Sequence, residues 1–109
     1  MSSVLIVTIV KKGWANTVLE ASLKAGAEGG TVLYGRGCGI HEKQMIMGIP
    51  IEPEKEIVLT VTDADKSERI LQEIIRNVNL CEPGMGIAFV VPIDKLVGVA
   101  HLICETPPE

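Results

Sequence analysis

Within the seven residues Gly35-Arg36-Gly37-Cys38-Gly39-Ile40-His41 lie three glycines, a guanidinium, a thiol and an imidazole. Glycine adopts positive φ and lets another group approach the main chain closely. Consecutive backbone N–H groups in such a segment can form an anion-binding nest, with Arg36 adding charge. The same glycines also suit a bulge and a tight exit from a strand, and both readings stay open at this point. No Gly-Lys-Ser/Thr follows, so the segment is not a Walker loop, and its spacing is not that of a dinucleotide-binding fingerprint. Pro83-Gly84-Met85-Gly86 is a second turn rich in bare backbone and admits the same two readings. If the two turns meet at one end of a sheet, they would grip a phosphate-bearing ligand between them.

Other chemistry is less well supplied. Cys38 and His41 stand three apart, while Cys81, His101 and Cys104 are scattered. Structural zinc takes four ligands in tight pairs, and this chain offers one loose pair. Cys38 has His41 near it as a base but no third orienting group, and no Ser/His/Asp set or carboxylate pair stands out. Three widely spaced cysteines argue against a disulfide framework and for a reducing compartment.

At 109 residues the chain is expected to form a single domain, 1–109. Its hydrophobic content is 47% but its aromatic content only 3%, so the core must be aliphatic, as in layered sheet and helix. A net charge of −4 with no basic tract excludes nucleic acid as the expected partner. The opening run Val4 to Val10 is too short to cross a bilayer and has no basic segment before it. A cytoplasmic protein without membrane insertion is expected.

The elements follow from periodicity. Val4 to Val10 reads as a strand apolar on both faces, with Leu5, Val7 and Ile9 on one and Val4, Ile6 and Val10 on the other. Trp14, Val18, Ala21 and Ala25 mark a first helix ending at Gly26. Gly30 to Tyr34 is a short strand leading into the glycine cluster. From Cys38 to Pro53 no period is visible, and a long flexible loop is expected. In that loop His41, Met45, Met47 and Ile49 are candidates for an adaptable partner-binding surface. Glu52, Glu54, Lys55 and Glu56 read as a solvated approach to the strand Glu56 to Thr62. Asp65 with Glu68 resembles a capping box, and Ile70, Leu71, Ile74, Ile75 and Val78 form the stripe of a second helix. Ile87 to Val91 and Leu96 to Leu102 read as strands separated by a bend at Pro92-Ile93-Asp94, before a frayed tail, 105–109.

This order makes an α+β, ferredoxin-like βαββαβ sandwich: an antiparallel sheet with two helices on one face, and a short extra C-terminal strand. The other sheet face, apolar in the first strand, needs a second copy of the chain to cover it.

The Thr31-Val32 strand leading to Gly37-Cys38-Gly39, the long loop, the Ile57 to Val61 strand and above all "PGMGIAFVVPIDKLVGV" (Pro83 to Val99) resemble the PII signal-transduction proteins. The resemblance implies a homotrimer, adenine nucleotides in the clefts between subunits, and a loop reaching to a regulated enzyme or membrane transporter. It implies no catalysis and no required cofactor. Ligand-binding residues would be Thr31 near the adenine, Arg36, Gly37, Cys38 and Gly39 at the loop base, and Pro83, Gly84, Met85 and Gly86 on the phosphate side. Valine at Gly37 or Gly86 is then expected to block the ligand without unfolding the chain.

Ile87 stands where the family has a lysine in this turn and Met85 where it has an aspartate. Gly98 and Ala100 replace arginines of the last strand, Ile40 an arginine after the loop glycines, and Glu56 a lysine before the third strand. Each lost cation removes a charge-assisted contact of roughly 1.5–3 kcal/mol. The expected effector is therefore AMP or ADP, with ATP less favoured, or another small anion. The alternatives are a CutA-like metal-tolerance trimer and a small cysteine-dependent enzyme.

Overall fold

The computed structural model describes residues 2–39, 44–46, 49–51 and 53–98. The elements are β1 (Ser3–Lys11), α1 (Ala15–Lys24), β2 (Thr31–Arg36), β3 (Gln44–Ile46), β4 (Ile49–Ile51), β5 (Glu54–Asp63), α2 (Ala64–Val78) and β6 (Gly86–Ile93). Strands β2-β5-β1-β6 form one antiparallel sheet in that order, and β3 pairs with β4 in a separate two-stranded sheet. Each helix links two strands that are separated by a third, giving the βαββαβ sandwich expected.

Both helices pack on one face. Ile6 and Val10 of β1 and Val58 of β5 are buried there in one cluster with Val18 of α1 and Ile70, Ile74 and Val78 of α2, and Val4 is buried on the same face. Thr8 and Thr60 share this face, fully buried, and their hydroxyls have no hydrogen-bond partner among the described residues. On the opposite face the register lines up three apolar rows: Ile87-Ile9-Ile57-Leu33, Phe89-Val7-Leu59 and Val91-Leu5-Val61. Leu33, Ile87, Phe89 and Val91 are exposed, so among the described residues no element covers this side.

Several boundaries differ from the sequence reading. The segment expected to be an irregular loop contains the β3–β4 hairpin; Pro50 is accommodated because a two-stranded ribbon leaves one side of each strand unpaired. Strand β6 continues through Pro92 and Ile93, where a bend was expected. It is an edge strand, so the missing N–H costs no ladder bond. Leu96 to Gly98 are not strand, and the rest of the expected last strand and the frayed tail, 105–109, lie outside the described residues. Asp63, not Asp65, is the N-cap of α2, and no side chain closes a capping box there. Helix α2 ends where Asn79 takes the left-handed conformation, φ 53°.

The largest difference lies at the start of β5. The charged approach to this strand is itself strand, and Lys55 and Glu56 are buried. Oε1 of Glu56 accepts the N–H of Gly13 at 2.8 Å and of Ala15 at 2.9 Å. Trp14, at the N-cap of α1, supplies no side-chain hydrogen bond, so a carboxylate from another strand satisfies the first donors of the helix. Beside it Lys12 Nζ lies 2.8 Å from Glu54, and the Lys12 N–H donates to the Glu54 carbonyl. Hydrogen bonding and attraction from Lys12 hold the Glu54 carboxyl below its ordinary range, and the same contact raises Lys12. The favourable contribution of this exposed pair is present above the usual carboxylate range and fades as pH falls through the depressed value.

Replacing Glu56 by alanine leaves two backbone donors at the head of α1 without their acceptor. We expect Glu56→Ala to cost about 2–3 kcal/mol in urea denaturation and to speed amide exchange at Gly13 and Ala15. A loss within about 0.5 kcal/mol would mean that this contact does not hold the helix.

Candidate functional site

Strand β2 carries the first glycine of the cluster, Gly35, and ends at Arg36, and the Gly37 N–H donates to the Pro53 carbonyl at 3.1 Å. This bond closes the neck of the 38–52 excursion at the ends of β2 and β5. The second turn is built at the same end of the sheet. After α2 the Met85 N–H donates to the Glu82 carbonyl, with Pro83 and then Gly84 at φ +82° between them, the residue pattern of a type II turn. Gly86 then enters β6 opposite Val10.

The two turns face one cavity of about 480 Å³. Gly35 to Gly39 line one side of it, and Gly84 and Gly86 the other. Its floor is the end of the first apolar row, Ile9, Ile57 and Ile87, and Lys55 borders it. The structure therefore brings together Arg36, Gly37, Cys38, Gly39, Gly84 and Gly86 among the residues singled out in sequence. Thr31, Pro83 and Met85 do not line the cavity; Thr31 sits on the open sheet face opposite Leu59. Met45 lies in β3 and Ile49 in β4, whereas His41 and Met47 lie outside the described residues.

Strand alternation separates the two cations at the neck. Gly35 is the register partner of Lys55 and shares its face with Ile57, while Arg36 is the partner of Glu54 on the helix-bearing face. Arg36 contributes to holding Glu54 ionised. With Lys12, Tyr34, Gly35, Glu54 and Lys55 it also lines a second depression, of about 570 Å³, so both cations border both hollows. Lys55, read in the sequence as part of a solvated approach to the strand, thus joins Arg36 at the border of the cavity. Sequence gave no cue, because a lysine between two glutamates reads as surface.

Cys38 is exposed, and its thiol donates to the Gly39 carbonyl at 3.3 Å. Among the described residues no group of three or more His, Cys, Asp and Glu side chains could hold a metal ion. No helix among the described residues is long and apolar enough to cross a membrane.

The sequence matches the family profile "Nitrogen regulatory protein P-II" over residues 3–101. The chain belongs to this family. PII proteins are regulatory rather than enzymatic; they form trimers and interact with target proteins. Among solved structures, the crystal structure of Arabidopsis thaliana PII bound to citrate is similar, with a TM-score of 0.71 and 26% identity over 91% of this chain and 84% of that one. No curated protein matches the sequence. A small-molecule-binding signalling protein is the function that these matches support.

The two site glycines differ in what they tolerate. A Cβ on Gly86, at φ +144°, would lie 2.3 Å from the Ile9 carbonyl oxygen, whereas one on Gly37 would meet nothing within 4 Å. A side chain at Gly86 thus pushes β6 off β1, and substitution there cannot leave the fold intact as the sequence reading expected. Gly86→Ala should cost about 2 kcal/mol or more, and Gly37→Ala should stay within about 0.5 kcal/mol. Chemical denaturation of the two variants tests this, and equal stabilities would contradict it.

Proposed function

We propose that this chain is a trimeric PII-type regulator that binds an adenine nucleotide, AMP or ADP in preference to ATP, and controls a membrane transporter or enzyme through its 38–53 segment. The observation that carries this reading is the single cavity in which the glycines of the loop neck and of the Gly84–Gly86 turn face each other. Bare backbone on two sides suits a phosphate, which can approach N–H groups closely. Citrate in the Arabidopsis relative supports a small anion as the class of effector.

Three apolar rows left uncovered on a four-stranded sheet support a closed oligomer, as is typical of the family. A neighbouring copy would complete the cleft and provides a role for Thr31, which lies on that face but away from the cavity of its own chain. Regulation follows by linkage. The Gly37 to Pro53 hydrogen bond closes the neck beside the cavity, so a ligand that binds better to the closed neck shifts the population of the segment beyond it.

The preference for fewer phosphates rests on Ile87, an apolar side chain bordering the cavity. Each added phosphate brings charge that must leave water without gaining a new cation. Calorimetric titration should show AMP and ADP binding at least as tightly as ATP, and light scattering should show a trimer. ATP binding far more tightly than AMP, no nucleotide binding up to about millimolar concentration, or a monomer would overturn the reading.

A further inference from the structure

We infer that Lys55, with Lys11 beside it, is the cationic pole of the glycine cavity and holds the anionic group of the effector. This rests on the reading of the cavity as an effector site and assigns a binding role to a residue that no motif marks.

Three observations converge. Lys55 and Arg36 both line the cavity, and of the two Lys55 lies on the sheet face that carries the isoleucine floor. Its register partner on β2 is Gly35, which has no side chain to fill the space above that strand. Its register partner on β1 is Lys11, so two ammonium-bearing residues stand directly opposite each other across β1 and β5. Like charges in that relation oppose strand pairing, and an anion between or above them relieves the repulsion.

Burial sharpens the effect. Lys55 is only 7% exposed, so little of it is left to water before a ligand arrives. An ammonium in so little water attracts an anion more strongly than one on the surface. The isoleucine floor next to it accepts an apolar or planar body and no further charge. The ligand class is therefore a compact anion, with one charged end at Lys55 and an uncharged body over Ile9, Ile57 and Ile87.

The test is titration of wild type, Lys55→Met, Lys55→Arg and, as a control away from the cavity, Lys66→Met with AMP, ADP, ATP and inorganic pyrophosphate. Lys55→Met should weaken all three nucleotides by about tenfold or more, while Lys55→Arg and Lys66→Met stay within about threefold of wild type. In the wild-type chain, saturating AMP should also slow acetylation of Lys55, but not of Lys66, by about fivefold as read by mass spectrometry. This arm stands even if the methionine variant fails to fold. If wild type binds nucleotides while Lys55→Met matches it within about twofold, or if AMP leaves Lys55 acetylation unchanged, the assignment of Lys55 fails and the nucleotide reading survives. If wild type binds pyrophosphate in a Lys55-dependent way but no nucleotide, the assignment of Lys55 holds and the nucleotide reading fails. Binding of neither overturns both.

Discussion

The carboxylate of Glu56 is the constraint around which the working end of this molecule is organised. By accepting two N–H groups from the turn between β1 and α1, it fixes the head of a helix that lacks a local cap. It also fixes the pleat of β5. With Glu56 committed to the helix-bearing face, alternation sends Lys55 to the other side and Glu54 back again. Three consecutive charged residues thereby do three different things: Glu54 pairs with Lys12, Lys55 borders the glycine cavity, and Glu56 caps a helix. A slip of one residue would exchange all three roles, which makes the hydrophobic register of β5 a determinant of the chemistry at its end.

A second constraint is the close approach of Gly86 to the Ile9 carbonyl. It brings β6 against β1 with no side chain between them, and it places the Gly84 turn at the same cavity as the glycines at the end of β2 and just beyond it. The glycines of the site are therefore of two kinds. Gly86 is required by the fold, and the space around Gly37 is open. Both kinds look alike in sequence, and only the distance from each to neighbouring backbone separates them.

Much of the architecture was legible because its signals are local. Alternation in β1 and β5, the apolar stripe of α2 and the glycine turns each lie within one segment, and their order suffices for the sandwich. What escaped reading depends on partners far along the chain. Nothing near Trp14 announces that α1 is capped by a glutamate 41 residues from Ala15. Lys55 was taken as solvated because its neighbours are acidic, although burial in a strand follows from the row that the residue joins and not from its sequence neighbours. Pro92 suggested a bend because the edge position that makes it harmless is a property of the assembled sheet. The β3–β4 hairpin escaped because three-residue strands are too short to show a period.

The same rows that form the open apolar face also form the cavity floor. Ile9, Ile57 and Ile87 are the last members of that face before the glycines and Lys55 begin, so apolar surface runs without a break from the middle of the sheet to the edge of the site. A copy of the chain that covers the face excludes water from the region next to the cavity, and removing water strengthens the attraction between an ammonium and an anion held there. Conversely, a ligand whose body rests on the isoleucines extends the apolar area that a neighbouring copy can bury. On the reading proposed above, assembly and ligand binding would favour each other through one shared surface, and by linkage whatever strengthens one would strengthen the other by the same factor.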